Sequence, residues 1–454
     1  MPSQGTIGDR VRGLRLSRRM SQAQLAGPDL SDSYVSLIES GKRTPTPVVA
    51  RLLAERLGCT TEFLLHGIEP RQRIDTELGL RHAELELHHG DPAVAAERFG
   101  EIVKAAGEEN AMLAAHARLG RARALEAQGM TGPAVEAFER LRREATAHPE
   151  RLANLPLTVA LSRCYRHGGD VLRARDLAAA ALTEVNRLAL TQGEIAVDLA
   201  ASLLETEAPH SPGLAFVRRV VQDNGVPAAV SRDEEIHALW QASVTAAEGE
   251  DSSLAVRLAD DAIAAGRPAR MTVKLACIAM KWSRLASAFD GEPLDRVRTL
   301  ATAASEVFGS LSRHGHDHAE SLVVLASVEL KSGDLEGAAR LSASVLDLPG
   351  SGSRVIGAGA RLVLAEVALA RSHGSHGSHD TVLSHLHAAR DLLSGSDPVS
   401  GVNRESARAW RRLGDLYGQA GAPEEQTSAY RKALEAVGVH SVLVGVTVDS
   451  ALAR

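Results

Sequence analysis

Aromatic residues are scarce in this sequence: six Phe, three Trp and four Tyr make up 3% of 454 positions. Sandwiches and barrels draw on aromatic and β-branched strand formers, so the scarcity argues against an all-β fold. Cysteine is as sparse. Cys59, Cys164 and Cys277 are an odd, widely spaced set, which gives neither a disulfide framework nor a paired-cysteine metal knuckle. No apolar run approaches the ~18 residues of a membrane span, because Arg, Glu, Asp or Gly interrupts each candidate. Nothing at Met1–Gly5 reads as a signal peptide, and the expected location is cytoplasmic. Also missing are a GxGxxG turn opening a helix, a Walker loop, an HExxH and a GxSxG. The neighbouring carboxylates Glu108-Glu109, Glu234-Glu235 and Asp260-Asp261 fall on predicted helices, where adjacent positions diverge by about 100°. They read as solvated faces. No catalytic residue and no cofactor is expected, and the chain does not read as an enzyme.

What is abundant points the other way. Ala, Leu, Arg and Glu dominate, and these are strong helix formers. With 44% apolar and 24% charged residues the composition is that of a packed protein, and the fold class is all-α. The length is roughly three times the ~150-residue domain prior, enough for two or three domains or one long repeat array. Charge is uneven: residues 1–70 carry nine Lys and Arg against seven Asp and Glu, and the remainder 42 against 50. Arg10, Arg12, Arg15, Arg18 and Arg19 face a single acid, Asp9, in the first 24 residues. A basic head on an acidic body suggests that an anionic partner meets the N-terminus.

Residues 7–68 read as five short helices. Ile7, Val11, Leu14 and Leu16 are expected as the buried stripe of the first, with Arg12, Arg15, Arg18 and Arg19 on its polar side. Ser21 is placed to cap the helix Gln22–Ala26, with Gln24 completing a capping box. Gly27-Pro28-Asp29 forces a turn, Ser31 caps the next helix, and Tyr34, Val35 and Ile38 face its core. Gly41 ends that helix, and Lys42-Arg43-Thr44-Pro45 is a basic loop before helices over Val48–Leu57 and Thr61–Leu65.

The stretch MSQAQLAGPDLSDSYVSLIESGKRTPTP resembles the helix-turn-helix of the Cro/phage-repressor class, matching its S-Q-x-x-L-A and S-x-S-Y-[IV]-S-x-I-E-x-G-x-[RK]-x-P-[ST] pattern. The turn is one residue shorter than the family's and contains Pro28. The resemblance implies a helix-turn-helix DNA-binding domain at residues 1–70 whose partner is double-stranded DNA. Residue by residue, it sets Ser31 at the start of the recognition helix and points Asp32, Ser33, Ser36 and Leu37 at base edges. It also puts Gln22, Lys42 and Arg43 near phosphates. None of the base-facing four is Arg, Asn or Gln, the bidentate readers of guanine and adenine. Affinity is therefore expected to lean on the loop and the helix-1 arginines. The alternative reading is a head that serves assembly, in a protein-protein interaction adaptor.

From about residue 76 a weak repeat appears. Trp410, Leu413, Gly414 and Tyr417, a Gly421-Ala422-Pro423 turn, then Tyr430 and Ala433 closely resemble a tetratricopeptide repeat. Fainter copies place Ala83, Gly90-Asp91-Pro92, Ala95 and Phe99 in one hairpin, and Ala122, Gly129, Ala134 and Phe138 in another. Tyr165, Gly168-Gly169-Asp170, Ala174 and Ala178 make a third; Ala326, Gly333-Asp334, Ala338 and Pro349 a fourth. Small residues let paired helices approach, glycine reverses the chain, and a large side chain fills the gap to the next hairpin. The spacing is about 40 residues, longer than the usual 34. Segments 190–226, 232–268, 272–310 and 355–395 are expected to hold further hairpins, eight or nine in all. Residues 71–454 thus read as a right-handed tetratricopeptide-like α-solenoid, with Val439–Val448 as an extended tail or a capping segment.

Histidines cluster at His314, His316 and His318, and at His373, His376, His379, His385 and His387. Imidazoles can converge on a metal. Without cysteine, and in a Gly/Ser-rich loop that matches no ligand template, the favoured reading is a solvated insertion with no metal. Inward-facing polar positions of the repeats are Glu84, Arg123, Arg163, Arg166, Arg411 and Asp415. Arg123, Arg163 and Arg166 suit a carboxylate such as a peptide C-terminus; the alternative is surface arginines paired with nearby acids. A Cro-like head on such a body resembles bacterial cytoplasmic regulators, some of which bind short signalling peptides. The resemblance implies a homodimeric transcription factor gated by a peptide, small-molecule or protein effector.

Overall fold

The fold follows from a computed structural model that describes residues 6–67, 70–106, 110–206, 211–287, 292–311, 314–348, 353–371, 377–395 and 404–438. Among these residues there are 22 helices and no strand. The head comprises α1 (Ile7–Ser17), α2 (Gln22–Ala26), α3 (Asp32–Glu39), α4 (Pro47–Arg56) and α5 (Thr61–His66). Every one of them starts at a hydroxyl cap: Thr6, Ser21, Ser31, Thr46 and Thr60 each accept from the backbone N–H three residues on. Such a cap contributes about 1 kcal/mol, which matters for helices too short to persist alone. The Ser21 box is complete, with Gln24 Oε1 accepting from the Ser21 N–H at 2.7 Å. Val11, Leu25, Val35, Ile38, Leu53, Leu57 and Leu64 fill the centre, all fully buried.

In α1 the expected stripe is corrected at two positions. Leu16 is 56% exposed and Arg15 is buried at 9%. Position 15 lies one full turn from Val11, so helical geometry turns it inward whatever its chemistry. The arginine is tolerated because Glu39, from α3, meets it with two bonds, Nε–Oε1 at 2.5 Å and Nη2–Oε2 at 3.0 Å.

The body is a succession of helical hairpins. They pair α6 (Pro70–His89) with α7 (Pro92–Ala106), α8 (Ala111–Ala127) with α9 (Thr131–Ala147), and α10 (Asn154–His167) with α11 (Val171–Arg187). Next come α12 (Glu194–Thr206) with α13 (Pro212–Asn224), and α14 (Asp233–Glu248) with α15 (Ser252–Ala286). Then α15 also pairs with α16 (Leu294–Gly309), and α17 (Gly315–Lys331) pairs with α18 (Leu335–Asp347). The series ends with α19 (Arg354–Arg371) and α20 (Gly377–Ser394), then α21 (Arg404–Gln419) and α22 (Pro423–Ala436). The expected break between segments 232–268 and 272–310 is absent. One 35-residue helix, α15, closes one hairpin and opens the next, with Pro268 in its interior.

Two devices recur. Asp91, Asp170, Asp251 and Asp334 each accept a backbone N–H from the first turn of a second helix, and the residue before the aspartate has positive φ at Gly169, Glu250 and Gly333. Buried serines of first helices donate to a carbonyl of the second: Ser162 to Ala174 at 2.8 Å, Ser243 to Ala255 at 2.7 Å and Ser283 to Val297 at 3.3 Å. Glycines mark the closest approaches. A Cβ on Gly414 would lie 2.6 Å from the Tyr430 ring, and one on Gly120 would run into the Phe99 ring.

By its contacts the chain groups into two compact units, Met1–Asn154 with Arg232–Gly266, and Leu155–Ser231 with Arg267–Arg454. In the first, a core of Ala83, Ala95, Phe99, Ala114 and Ala117 joins α6, α7 and α8. In the second, the first helices α17, α19 and α21 touch one another in turn, while Leu362, Leu386, Leu413 and Tyr417 form a shared core. Pro349, His373, His376 and Val439–Val448 lie outside the described residues.

Candidate functional site

Helix α3 is short and amphipathic. Val35, Ile38 and Glu39 are buried, whereas Asp32, Ser33, Ser36 and Leu37 are exposed, and with Ser40 they make one continuous outer face. Ser31 stands exposed at its start, its Oγ accepting from the Tyr34 N–H at 3.1 Å. The Asp32 carboxylate accepts from the Ser33 N–H at 2.9 Å, and it sits where the helix dipole favours an anion. After Gly41, at φ +70°, the chain folds back, and the Lys42 and Arg43 N–H groups both donate to the Leu37 carbonyl, at 3.0 and 3.2 Å. The Arg43 guanidinium lies 4.8 Å from the centre of the Tyr34 ring, which fixes it beside the outer face. Lys42 is exposed next to it.

Gln22, expected near a phosphate, has a partner within the head. Its amide donates to Glu39 Oε2 at 2.9 Å, completing the Arg15–Glu39 pair. Burial pushes the Glu39 carboxyl up, but the hydrogen bonds from Arg15 and Gln22 outweigh it and hold the group below its ordinary value.

The helix-1 arginines, expected to face solvent together, divide. Arg10 donates to the Leu64 and Leu65 carbonyls at 3.0 and 2.6 Å, closing the end of α5. Arg15 also reaches the Met20 carbonyl at 2.8 Å, and Arg18 reaches the Gly58 carbonyl at 3.1 Å. Arg56, in α4, binds the Asp29 carboxylate and the Ala26 carbonyl. Arg12 and Arg19 remain exposed. Much of the head's positive charge is thus spent on its own loops, and what is left outward is Arg12, Arg19, Lys42, Arg43 and Arg51.

The three arginines singled out for an effector stand on different elements. Arg123 is exposed on α8, in the first compact unit. Arg163 and Arg166 are on α10 in the second; Arg163 pairs with Asp198 at 3.5 Å, and Arg166 contacts the His167 ring at 2.9 Å. The second unit holds a cavity of about 450 Å³ against α17, α19 and α21. Its wall is apolar at Val323, Val324, Val355, Ile356 and Leu362. Gly359 thins α19 there: a Cβ on it would come to 3.2 Å from Val323 Cγ1. Charges rim the opening. Arg284 holds Glu320 at 2.7 Å, and Arg412 holds Glu366 with bonds of 2.8 and 2.7 Å. Arg411 pairs with Asp415 at 3.7 Å. Sequence reasoning had Arg411 and Asp415 facing inward; Arg411 lines this cavity, whereas Arg284 and Arg408 were missed, because the rotation of each helix about its axis decides which arginines share a cavity.

Among the described residues no three metal-capable side chains converge. His314 bonds Asp317 at 2.8 Å, and His385 lies against Arg361, with its pKa lowered first by burial and then by that arginine. Cys277 is held as a thiol, burial first and Asp317 second pushing it up to about 11. No helix among the described residues is long and apolar enough to cross a membrane.

Comparison with known proteins agrees with the head's geometry. The family described as Helix-turn-helix matches residues 11–64. No curated protein matches the chain. Among solved structures, PlcR of Bacillus thuringiensis in complex with the peptide PapR7 and DNA is 14% identical, with a TM-score of 0.28 over 70% of this chain and 99% of that one. The apo form of RapI is 13% identical, with a TM-score of 0.42 over 95% of this chain and 97% of that one. The Cut9–Hcn1 hetero-tetramer of APC/C gives 15% and 0.26 over 95% and 87%. Residues 11–64 are a helix-turn-helix domain, carried at the head of a chain whose described residues form repeated helical hairpins.

Proposed function

We propose that the protein is a DNA-binding transcriptional regulator whose repeat body binds an effector or partner and mediates dimerisation. The observation that carries this reading is the exposed face of α3, with Ser31, Asp32, Ser33, Ser36 and Leu37 outward and the Lys42-Arg43 loop folded against its end. In a helix-turn-helix such a face enters the major groove. Lys42 and Arg43 are the phosphate contacts, and Leu37 is an apolar contact for a thymine methyl. Gln22 acts indirectly, by holding Glu39 and so the angle between α2 and α3. Direct readout from two serines, an aspartate and a leucine is modest, so two heads on adjacent half-sites are needed to add their contacts. An effector acts by its differential affinity for the dimer's operator-bound and free states.

The test is a salt titration of full-length protein on duplex DNA drawn from genomic fragments that it retains. Affinity should fall steeply as salt rises, and Lys42→Ala should flatten the log–log slope by about one unit at all sequences. A chain that ignores duplex DNA at low ionic strength has a head that serves assembly, and the adaptor reading replaces this one.

A further inference from the structure

The cavity against α17, α19 and α21 is unusual in how its charges are balanced. Arg284, Arg411 and Arg412 each hold a carboxylate, and the Lys331 ammonium reaches the Ser287 carbonyl. Arg408 lines the same cavity from α21 and makes no hydrogen bond or ion pair among the described residues. Its surroundings do not neutralise it either. Arg408 is exposed, yet protein crowds it: burial first and then repulsion from Arg284 lower its pKa, while Glu405 and Glu320, in the same lining, attract it without a hydrogen bond. Glu320 is already committed to Arg284, and it also attracts Lys281, which Arg166 repels in turn. Positive charge therefore exceeds what the rim carboxylates compensate, at the mouth of an apolar chamber.

Size narrows the occupant. A volume near 450 Å³ lies within the roughly 300–1,000 Å³ of small-molecule sites, and it suits a few residues of a peptide end or an organic acid. We infer that this cavity binds a small amphiphilic anion, an aliphatic body lying on Val323, Val355, Ile356 and Leu362 with its terminal carboxylate on Arg408. The inference rests on the reading of the body as an effector-binding domain and gives that effector a chemistry. A charge-assisted bond from an arginine that no carboxylate engages by a hydrogen bond or ion pair among the described residues is worth about tenfold or more in affinity. Apolar contact with the wall supplies the remainder.

Isothermal titration of the full-length protein separates the two sources of such a carboxylate. Decanoate is compared with decanamide, and N-acetyl-Leu-Val-Leu with its C-terminal amide. At least one acid should bind, tenfold or more tighter than its neutral counterpart, and the acid that does so identifies the source. Arg408→Gln should erase that preference while leaving weak binding of the neutral compound. Ser327→Leu, which fills the chamber from α17, should abolish both. Far-ultraviolet circular dichroism and melting of each variant establish that it is folded. Acids that bind no better than their amides overturn the inference, as does a folded Arg408→Gln that keeps the preference. Operator binding is measured on the same preparation. Intact salt-dependent DNA binding with no acid preference removes this inference alone, and acid binding without DNA binding removes the regulator reading alone.

Discussion

In the head, Arg10, Arg15, Arg18 and Arg56 each end on a group of the fold itself. In the second unit, Arg408 lines an apolar cavity with no hydrogen-bond or ion-pair partner among the described residues. The head is a small bundle with little apolar volume, so its loops need tying down by guanidinium groups, whose five donors close several carbonyls at once. The repeat hairpins instead hold together chiefly through a long series of Ala, Leu and Val contacts, with arginine–carboxylate pairs such as Arg284–Glu320 and Arg412–Glu366 between their helices. Charge that a fold does not need is charge available to a ligand. By that criterion the proposed contacts fall on Lys42 and Arg43, which the head leaves outward, and on Arg408, which the cavity leaves without an ion pair among the described residues.

The most damaging way to break this comparison is to remove a structural arginine. Arg15→Leu leaves the Glu39 carboxylate buried and short of its main partner, which costs about 3–5 kcal/mol. Amide hydrogen exchange in the full-length chain should show α1 and α3 losing protection, while α17–α22 keep theirs. Arg15→Leu combined with Glu39→Leu should recover most of the loss, because an apolar pair of similar volume demands no compensation. Acid gives the same information. The folded Glu39 carboxyl sits below its ordinary value, so the folded state holds that proton less tightly than the unfolded state does. Its contribution is complete above the unfolded pKa of about 4.3 and fades as pH falls through the lower folded value. In the double variant that part of the acid sensitivity of the head should be gone.

A second substitution sharpens the contrast on the repeat side, where packing and not charge is expected to dominate. Gly414→Ala places a methyl 2.6 Å from the Tyr430 ring. The ring cannot give way freely, since its hydroxyl donates to Asp415 at 2.7 Å. Overpacking of this kind costs about 1–3 kcal/mol, and exchange should rise in α21 and α22 with the head untouched. Gly357→Ala is the control, because its new methyl would meet only Leu392 Cδ1 at 3.5 Å, an ordinary contact. If both alanines behave alike, the tight glycine contact does not set helix spacing in that hairpin.

The local grammar of the head could be read from its residues. Ser21 and Ser31 cap where their side chains and spacing say they should, and the short helix Gln22–Ala26 has the bounds expected of it. Caps act within three residues, so sequence neighbours contain all the information. The Arg15–Glu39 pair was hidden because its halves are 24 positions apart, and because hydrophobicity favoured Leu16 where helical period favoured position 15. The same holds for Pro268, whose ring normally interrupts a helix, while α15 continues through it under tertiary packing on both sides. At the repeat hairpins, Gly and Asp at the turns were legible. The serines that bridge paired helices were not, since Ser162, Ser243 and Ser283 differ from solvent-facing serines only in what they pack against. For the cavity, the repeat positions named arginine as the relevant residue type; which arginine is left without an ion pair among the described residues depends on three helices brought side by side.

The smallest effect tests the turn grammar itself. Glu250 has φ +62°, at the position before the capping Asp251 that Gly169 and Gly333 fill in other hairpins at φ +85° and +87°. A side chain in that region costs about 1–2 kcal/mol, because Cβ crowds the following carbonyl. Glycine removes the crowding but widens the unfolded ensemble, which takes back about 0.5–1 kcal/mol. The net expectation for Glu250→Gly is a gain of about 0.5 kcal/mol, seen as slower exchange at the start of α15 with α3 unchanged. A loss instead of a gain would mean that the contacts of the Glu250 side chain outweigh its backbone strain, and charge, not turn geometry, would then be what holds this hairpin closed, as it does in the head.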